Sequence, residues 1–431
     1  MRKPLVGRWL LLAGALASGC LEKDPPPSMN GGNTGNGRGG SSGSGGSSES
    51  GGSNGSGGNA SGGNTGNGTG GSNGGGGSGG GGSGGGGAGG SSSPDGGGSA
   101  DANPVPMDDP MLLSKTGLYA DIAKGTLAPG VHPFTPLYPL WSDTAAKKRW
   151  IALPPDTKID TFKMDFWDYP SGTRLWKEFE RDGVRVETRL LLKRSPGVWF
   201  AMAYKWNREQ TEATAVPMGE NNALGTQHDI PSKEKCSQCH SQMQDWVLGF
   251  SAVQLSHGLE GLTLDKVKSM GWLSDPPAGP VTLPGDETAK AALGYLHSNC
   301  GMCHNEGSKP YSVGSDIDLW AHADLLKSVE TTRAYLSMVC ATWKKSAIIT
   351  ECPTGQATGT PMHSTLSAFK KRVTPGVAAM SGVHDLMSLR EGVEGAMKQM
   401  PPVGTEIPDP AGLKAVDEWI NRLPKAPATT P

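Results

Sequence analysis

Two five-residue segments combine residue types that do chemistry together: Cys236-Ser237-Gln238-Cys239-His240 and Cys300-Gly301-Met302-Cys303-His304. Cys-x-x-Cys-His is the attachment pattern of a c-type haem. Two thiols one helical turn apart add to the two vinyl groups of one porphyrin. The histidine that follows lies under the iron and ligates it. Zinc is the main rival use of paired cysteines. A zinc ribbon, however, spaces its pairs roughly 15–20 residues apart, and here the second pair starts 64 positions after the first. A thioredoxin-like dithiol has no need of a histidine after each pair. The expected cofactors are two covalently bound haem c groups, attached through Cys236, Cys239, Cys300 and Cys303, with His240 and His304 on the irons.

The elements that must position these residues are partly readable. Asp286 can cap a helix over Glu287 to Asn299, with Ala289, Ala292, Leu293 and Leu296 on its apolar face, leading straight into Cys300. Asp409-Pro410 is a second helix start, after which Leu413, Val416, Trp419, Ile420 and Leu423 share a face. Upstream, Val184 to Leu190 alternates apolar and polar residues, Ser195-Pro196-Gly197 is a turn signal, and Val198 to Trp206 is an aromatic-rich strand. Short strands are expected around Arg149 to Leu153 and Asp160 to Trp167. The predicted fold class is α+β, with a β-rich, sandwich-like domain over 105–230. A first haem segment follows over 231–284, then an α-helical domain over 285–425 that holds the second haem. Six tryptophans of the β-rich part (Trp141, Trp150, Trp167, Trp176, Trp199, Trp206) read as sheet packing rather than a ligand groove.

The start of the chain has a different character. Arg2, Lys3 and Arg8 flank the approach to an apolar run from Trp9 to Leu16, and Ala17-Ser18-Gly19 lead to Cys20. This is an export signal over 1–19, too short to span a bilayer. Small residues before a cysteine resemble a bacterial lipobox, with Ala17 where leucine is commoner. Cys20 is then the expected acylated terminus, and the protein is expected to be exported and lipid-anchored to a bacterial membrane, on the periplasmic side or the cell surface. Residues 20–104 form a Gly/Ser/Asn-rich linker that cannot bury a core. As a flexible coil it reaches about 50 Å, at 5–6 Å × √n. It also accounts for most of the 66 glycines and for the apolar fraction of 35%. The net charge of −2 and the lack of a basic patch give no reason to expect nucleic acid.

Cys340 and Cys352 remain after the haem thiols and Cys20. An even pair in an exported domain is expected to form a disulfide, worth roughly 3 kcal/mol in the chain-entropy view. It falls in a long insertion, Asn305 to Gln399, between the second haem motif and Met400-Pro401-Pro402.

The helix before the second motif and the C-terminal helix resemble the crossing pair of class I cytochromes c, with Gly294, Tyr295 and Trp419 as the small and aromatic contacts. Met400 before two prolines resembles the distal-ligand loop of that class, which implies a thioether on the second iron. A wider resemblance rests on Tyr138-Pro139-Leu140-Trp141-Ser142-Asp143, Lys147-Lys148-Arg149-Trp150-Ile151, Glu187-Thr188-Arg189-Leu190-Leu191 and Tyr204-Lys205-Trp206-Asn207. It continues through Ile230-Pro231-Ser232, Leu248-Gly249-Phe250 and Tyr295-Leu296-His297-Ser298-Asn299-Cys300. Over about 130–425 the chain is similar to bacterial diheme c-type cytochromes with a β-rich N-terminal domain. One departure is Ser256 in Gln254-Leu255-Ser256-His257, where that family usually shows asparagine. The resemblance implies haem binding and electron transfer and names no partner.

The sixth ligand of the first haem stays open among His228, His257, Met270, His297 or none. Three function classes follow. The favoured one is an electron-transfer protein serving a redox partner protein. The second is a peroxidase-like haem enzyme with an open first haem. The third is a binding module whose β-domain recognises a polymer or partner protein.

Overall fold

The computed structural model describes residues 109–340, 352, 357, 371–390 and 399–425. The signal at 1–19, the linker at 20–104 and Cys20 lie outside the described residues, as does much of the insertion. The described architecture is a mixed α+β arrangement.

The β part is a six-stranded antiparallel meander preceded by a small ladder. Tyr119–Asp121 (β1) pairs with Thr126–Leu127 (β2). The meander runs His132–Pro133 (β3), Ala146–Ala152 (β4), Arg174–Arg181 (β5), Val184–Ser195 (β6), Val198–Trp206 (β7) and Ala213–Ala215 (β8), in sequence order across the sheet. The β6–β7 hairpin and β4 stand where alternation predicts them. The segment Asp160 to Trp167 forms no strand and contributes only isolated bridges, Asp160 to Asp168 and Ile159 to Leu273. The central strand β5 was not anticipated. Its sequence mixes Lys177 and Glu178 among Leu175, Trp176 and Phe179, because both of its faces are covered and charged side chains are used on each.

One sheet face carries Trp150, Trp176, Leu190, Met202, Tyr204 and Trp206, covered by Leu113, Leu118 and Tyr119. The opposite face starts apolar, with Ile151, Leu175 and Trp199 packed under Phe134, Trp167, Phe250 and Leu255. A ladder covers the first face and a helical, loop-rich layer covers the second, where a sandwich would place a full second sheet. Of the six tryptophans, Trp150, Trp167, Trp176, Trp199 and Trp206 are buried in packing. Trp141 is half-buried and donates its indole N–H to Ile407 O at 3.0 Å.

The helices are Lys233–His240 (α1), Ala252–Leu255 (α2), Leu264–Ser269 (α3), Glu287–Asn299 (α4), Arg333–Val339 (α5), Gly382–Ser388 (α6) and Pro410–Arg422 (α7). Asp286 caps α4 by accepting Ala289 N–H at 2.9 Å. Asp409 caps α7 by accepting Ala411 N–H and Gly412 N–H at 3.0 and 3.1 Å. Ala289, Ala292, Leu293 and Leu296 of α4 share one core with Val416, Trp419 and Ile420 of α7 and with Tyr335 and Met338 of α5. At the α4–α7 contact the small residue is Gly412, against which the Tyr295 ring lies. Gly294, expected there, instead makes room for the Tyr138 ring.

Candidate functional site

Helix α1 is too short and too polar to hold itself by burial; none of its residues is buried. Ser232 caps it by accepting Lys235 N–H at 3.4 Å. Its eight residues set Cys236 and Cys239 one turn apart, with His240 closing the last turn. What fixes His240 comes from the next six residues. His240 Nδ1 lies 2.6 Å from Trp246 O. A carbonyl only accepts, so Nδ1 carries the proton and the Nε2 lone pair is left free. This is the arrangement a metal-binding imidazole requires. Trp246 takes a left-handed backbone, φ 53°, which bulky residues rarely adopt.

The residue before it, Asp245, is the anchor. Its carboxylate accepts from Lys193 Nζ at 2.8 Å, Trp199 Nε1 at 2.7 Å and Tyr169 N at 2.7 Å. Lys193 and Asp245 are both buried, and Lys193 also pairs with Asp168. The sheet thus grips the loop that orients His240. Burial pulls His240 down to about 4, helped by the charges of Lys177 and Arg189 and opposed by the Trp246 carbonyl. The ring is therefore neutral at pH 7.

The second motif grows from the end of α4. Cys300 N and Gly301 N both donate to Leu296 O, at 3.0 and 2.8 Å, and the turn continues with His304 N to Cys300 O at 2.9 Å. Gly301 is required by a close approach: a Cβ there would stand 2.6 Å from His297 O and 3.1 Å from the Trp320 ring. His304 Nδ1 lies 3.1 Å from Ser315 Oγ, a hydroxyl that can donate or accept, so the contact holds the ring without setting which nitrogen carries the proton. Burial, then Arg372, push His304 down to about 4. Buried Asn305 ties the turn together by donating to Gly301 O and Met302 O at 2.9 and 3.0 Å.

The two motifs meet. Cys239 and Cys303 pack on the same buried side chains, and the neighbouring Cys303 thiol holds Cys239 near 7 while Cys303 is pushed far up. Burial raises Cys236, and takes Cys300 to about 12. Met243, Met302 and Trp320 are buried around this junction, with Cys239, Cys303, Phe166 and Leu248 packed on them. None of the four motif cysteines is in a disulfide. Among the described residues no three His, Cys, Asp or Glu side chains gather as a metal-ion cluster. Paired thiols, a neutral histidine after each pair, a free Nε2 on His240, and thioether and aromatic surroundings fit a porphyrin iron.

Of the four residues expected as candidate sixth ligands of the first haem, the three histidines each have a partner at one ring nitrogen and Met270 is exposed. Buried His228 faces Glu187 Oε1 through Nε2 at 3.1 Å. His257 Nδ1 accepts Leu259 N–H at 3.0 Å, and His297 Nδ1 accepts Ala321 N–H at 3.2 Å. Their protons therefore sit on Nε2, which is buried without a partner among the described residues in both rings. Met270 caps α3 and is 40% exposed. Met400 is half-buried in the loop between α6 and α7, its N–H donated to Leu386 O at 2.8 Å. Cys340 and Cys352 are paired as expected, with Cα atoms 5.6 Å apart.

Sequence reasoning missed Asp245, the Trp246 carbonyl, Ser315 and Trp320. The polar loop directly after each motif was the available signal. It also missed a bridge beside the junction, where buried His322 joins Asp165 and Asp318 at 3.4 and 3.1 Å. Among the described residues no helix is long and apolar enough to cross a membrane. No family model, curated protein or solved structure matches the chain.

Proposed function

We propose that the chain is an exported diheme c-type cytochrome that transfers electrons. A porphyrin iron supplies a one-electron couple when bound. The observation that carries the reading is the pair of held histidines. In each motif Nδ1 has a partner that holds the ring, and at His240 that partner is a carbonyl, which leaves the Nε2 lone pair free to hold an iron. Two adjacent cysteine pairs and a neutral imidazole beside each are what covalent haem attachment demands. The packing of Cys239 and Cys303 on one buried cluster supports short-range exchange between the two centres.

In this reading Met400 is the distal ligand at His304, and its soft thioether favours the ferrous state. The α4–α7 packing supports a class I-like helical domain around the second haem. The protein is held to a membrane by acyl chains on Cys20, and its linker lets the anchored domain reach a redox partner protein.

The first haem favours a second reading. Neither His257 nor His297 offers a free lone pair at Nε2, and His228 is committed to Glu187. An open first haem suits a peroxidase-like enzyme. A pyridine haemochrome assay tests the main reading: two covalent haems per chain are expected, and zero or one refutes it. A first haem that is inert to carbon monoxide and cyanide keeps the carrier reading. A high-spin first haem with peroxide turnover replaces it with the enzyme. Cys20→Ala should shift the protein from the membrane to the soluble fraction; full retention overturns the anchor.

A further inference from the structure

The part of the sheet face nearest the first motif is cationic. Strand register sets Arg149 opposite Lys177 and Lys177 opposite Arg189. Directly opposed residues point to the same face, so three positive side chains from β4, β5 and β6 stand in one row. Like charges placed opposite one another destabilise a sheet, so the row calls for a counter-charge.

The chain itself supplies little. Glu187 is the one carboxylate in the neighbouring register. It is buried and already bonded to Arg189 Nε at 2.8 Å and to His228 at 3.1 Å. Lys147 donates to Leu140 O at 2.8 Å. Among the described residues, the Arg149 and Lys177 side chains have no ion pair and no hydrogen bond. Lys177 has only the Phe179 ring, 4.7 Å away. Burial, with the crowding of Arg149, Arg189 and Lys147, holds Lys177 well below the usual lysine range. Burial takes Arg149 down to about 10.

The row borders the motif. Helix α1, which carries Cys236, Cys239 and His240, packs on β7, the neighbour of the strand that carries Arg189. Arg189 keeps 29% of its side-chain surface open, although it lies on an interior sheet face. It therefore lines an opening rather than a packed core.

We infer that Arg149 and Lys177, flanked by the Glu187-bound Arg189, form a carboxylate-binding seat beside the first haem-attachment motif. The Arg149 guanidinium fork matches the two oxygens of a carboxylate, and the Lys177 ammonium adds a point charge. Two sources present that chemistry: the propionate groups of a porphyrin joined to Cys236 and Cys239, and a free small carboxylate. The first source rests on the diheme reading; the charge row does not.

The test uses the full-length holoprotein with Lys177→Gln and, separately, Arg149→Gln. Both substitutions relieve repulsion, so folding should survive, and a thermal melt checks this. Haem per chain, the midpoint of each haem, and acetate binding at constant ionic strength are measured. If propionates fill the seat, the midpoint of one haem falls in both variants, the other stays fixed, and acetate does not bind the wild type. If a free carboxylate fills it, acetate binds the wild type saturably and both variants bind at least tenfold more weakly. Two haems per chain, unchanged midpoints and no variant-sensitive acetate binding overturn the seat. A wild type without haem overturns the diheme reading instead. The seat is then judged by acetate alone: tenfold weaker binding in the variants sustains it, and equal or absent binding overturns it.

Discussion

The two Cys-x-x-Cys-His segments make the same chemical demand and are held by opposite means. The first sits on α1, whose residues are at most half-buried, and is fixed by charge: Lys193 and Asp245 lock the following loop to the sheet. The second follows α4, which buries seven residues, and is fixed by apolar packing against α5 and α7. The histidines differ in the same sense. A backbone carbonyl can only accept, so Trp246 dictates the tautomer of His240. The Ser315 hydroxyl can donate or accept, so it holds the His304 ring without dictating its proton. A motif carried by a weak helix needs a rigid partner from elsewhere in the chain. A motif continuous with a well-packed helix needs only a hydroxyl.

The largest effect should come from removing one attachment site at a time. Cys236→Ala with Cys239→Ala, or Cys300→Ala with Cys303→Ala, should each halve the haem content. Mass spectrometry of the intact chain reads this directly. If one pair costs both haems, the two sites are not independently built and the comparison fails.

Next is Met400→Ala, which should abolish the long-wavelength band of iron–methionine ligation and lower the potential of the second haem only. Persistence of the band would assign the thioether to another methionine.

The scaffolds should then part company under mutation. Asp245→Ala leaves Lys193 buried beside an exposed Asp168, and should cost about 3 kcal/mol. Trp419→Ala empties the α4–α7 core and should cost about 3–5 kcal/mol. Denaturant melts give the sizes, and haem spectra give the location: Asp245→Ala should perturb the first haem, Trp419→Ala the second. Equal disturbance of both haems by either variant would erase the distinction.

The comparison is sharpened last by the pH dependence of the bridge between the regions. Burial works against a charged His322, but Asp165 and Asp318 win and raise it to about 10 from 6.5. A group raised on folding gives stability that is fully present below its unfolded value and lost as pH climbs through the folded one. Stability should therefore decline between about pH 6.5 and pH 10, and His322→Gln should flatten that slope. A wild-type profile as flat as that of the variant would remove the bridge from the account.

How much was legible follows from how local each cause is. Both long helices begin and end where caps and periodicity place them, because Asp286, Asp409 and Pro410 act within their own first turns. The β6–β7 hairpin was legible because alternation and a turn are local too. Strand β5 was not, because Lys177 faces a motif about sixty residues downstream while Glu178 is buried on the other side. Asp160 to Trp167 has strand-like residues yet forms only isolated bridges.

The sequence by itself determined the two Cys-x-x-Cys-His motifs and their separation, the cysteine pair left over for a disulfide, and the two helices that frame the second motif. Only the tertiary structure decided that Cys239 and Cys303 pack on one buried cluster, that Asp245 governs His240 through its neighbour, and that three cations line up beside the first motif. These depend on strand register and on contacts between segments distant in the chain. A one-residue shift in register would turn Arg149, Lys177 and Arg189 to the other face, and nothing local in those three residues specifies which face that is.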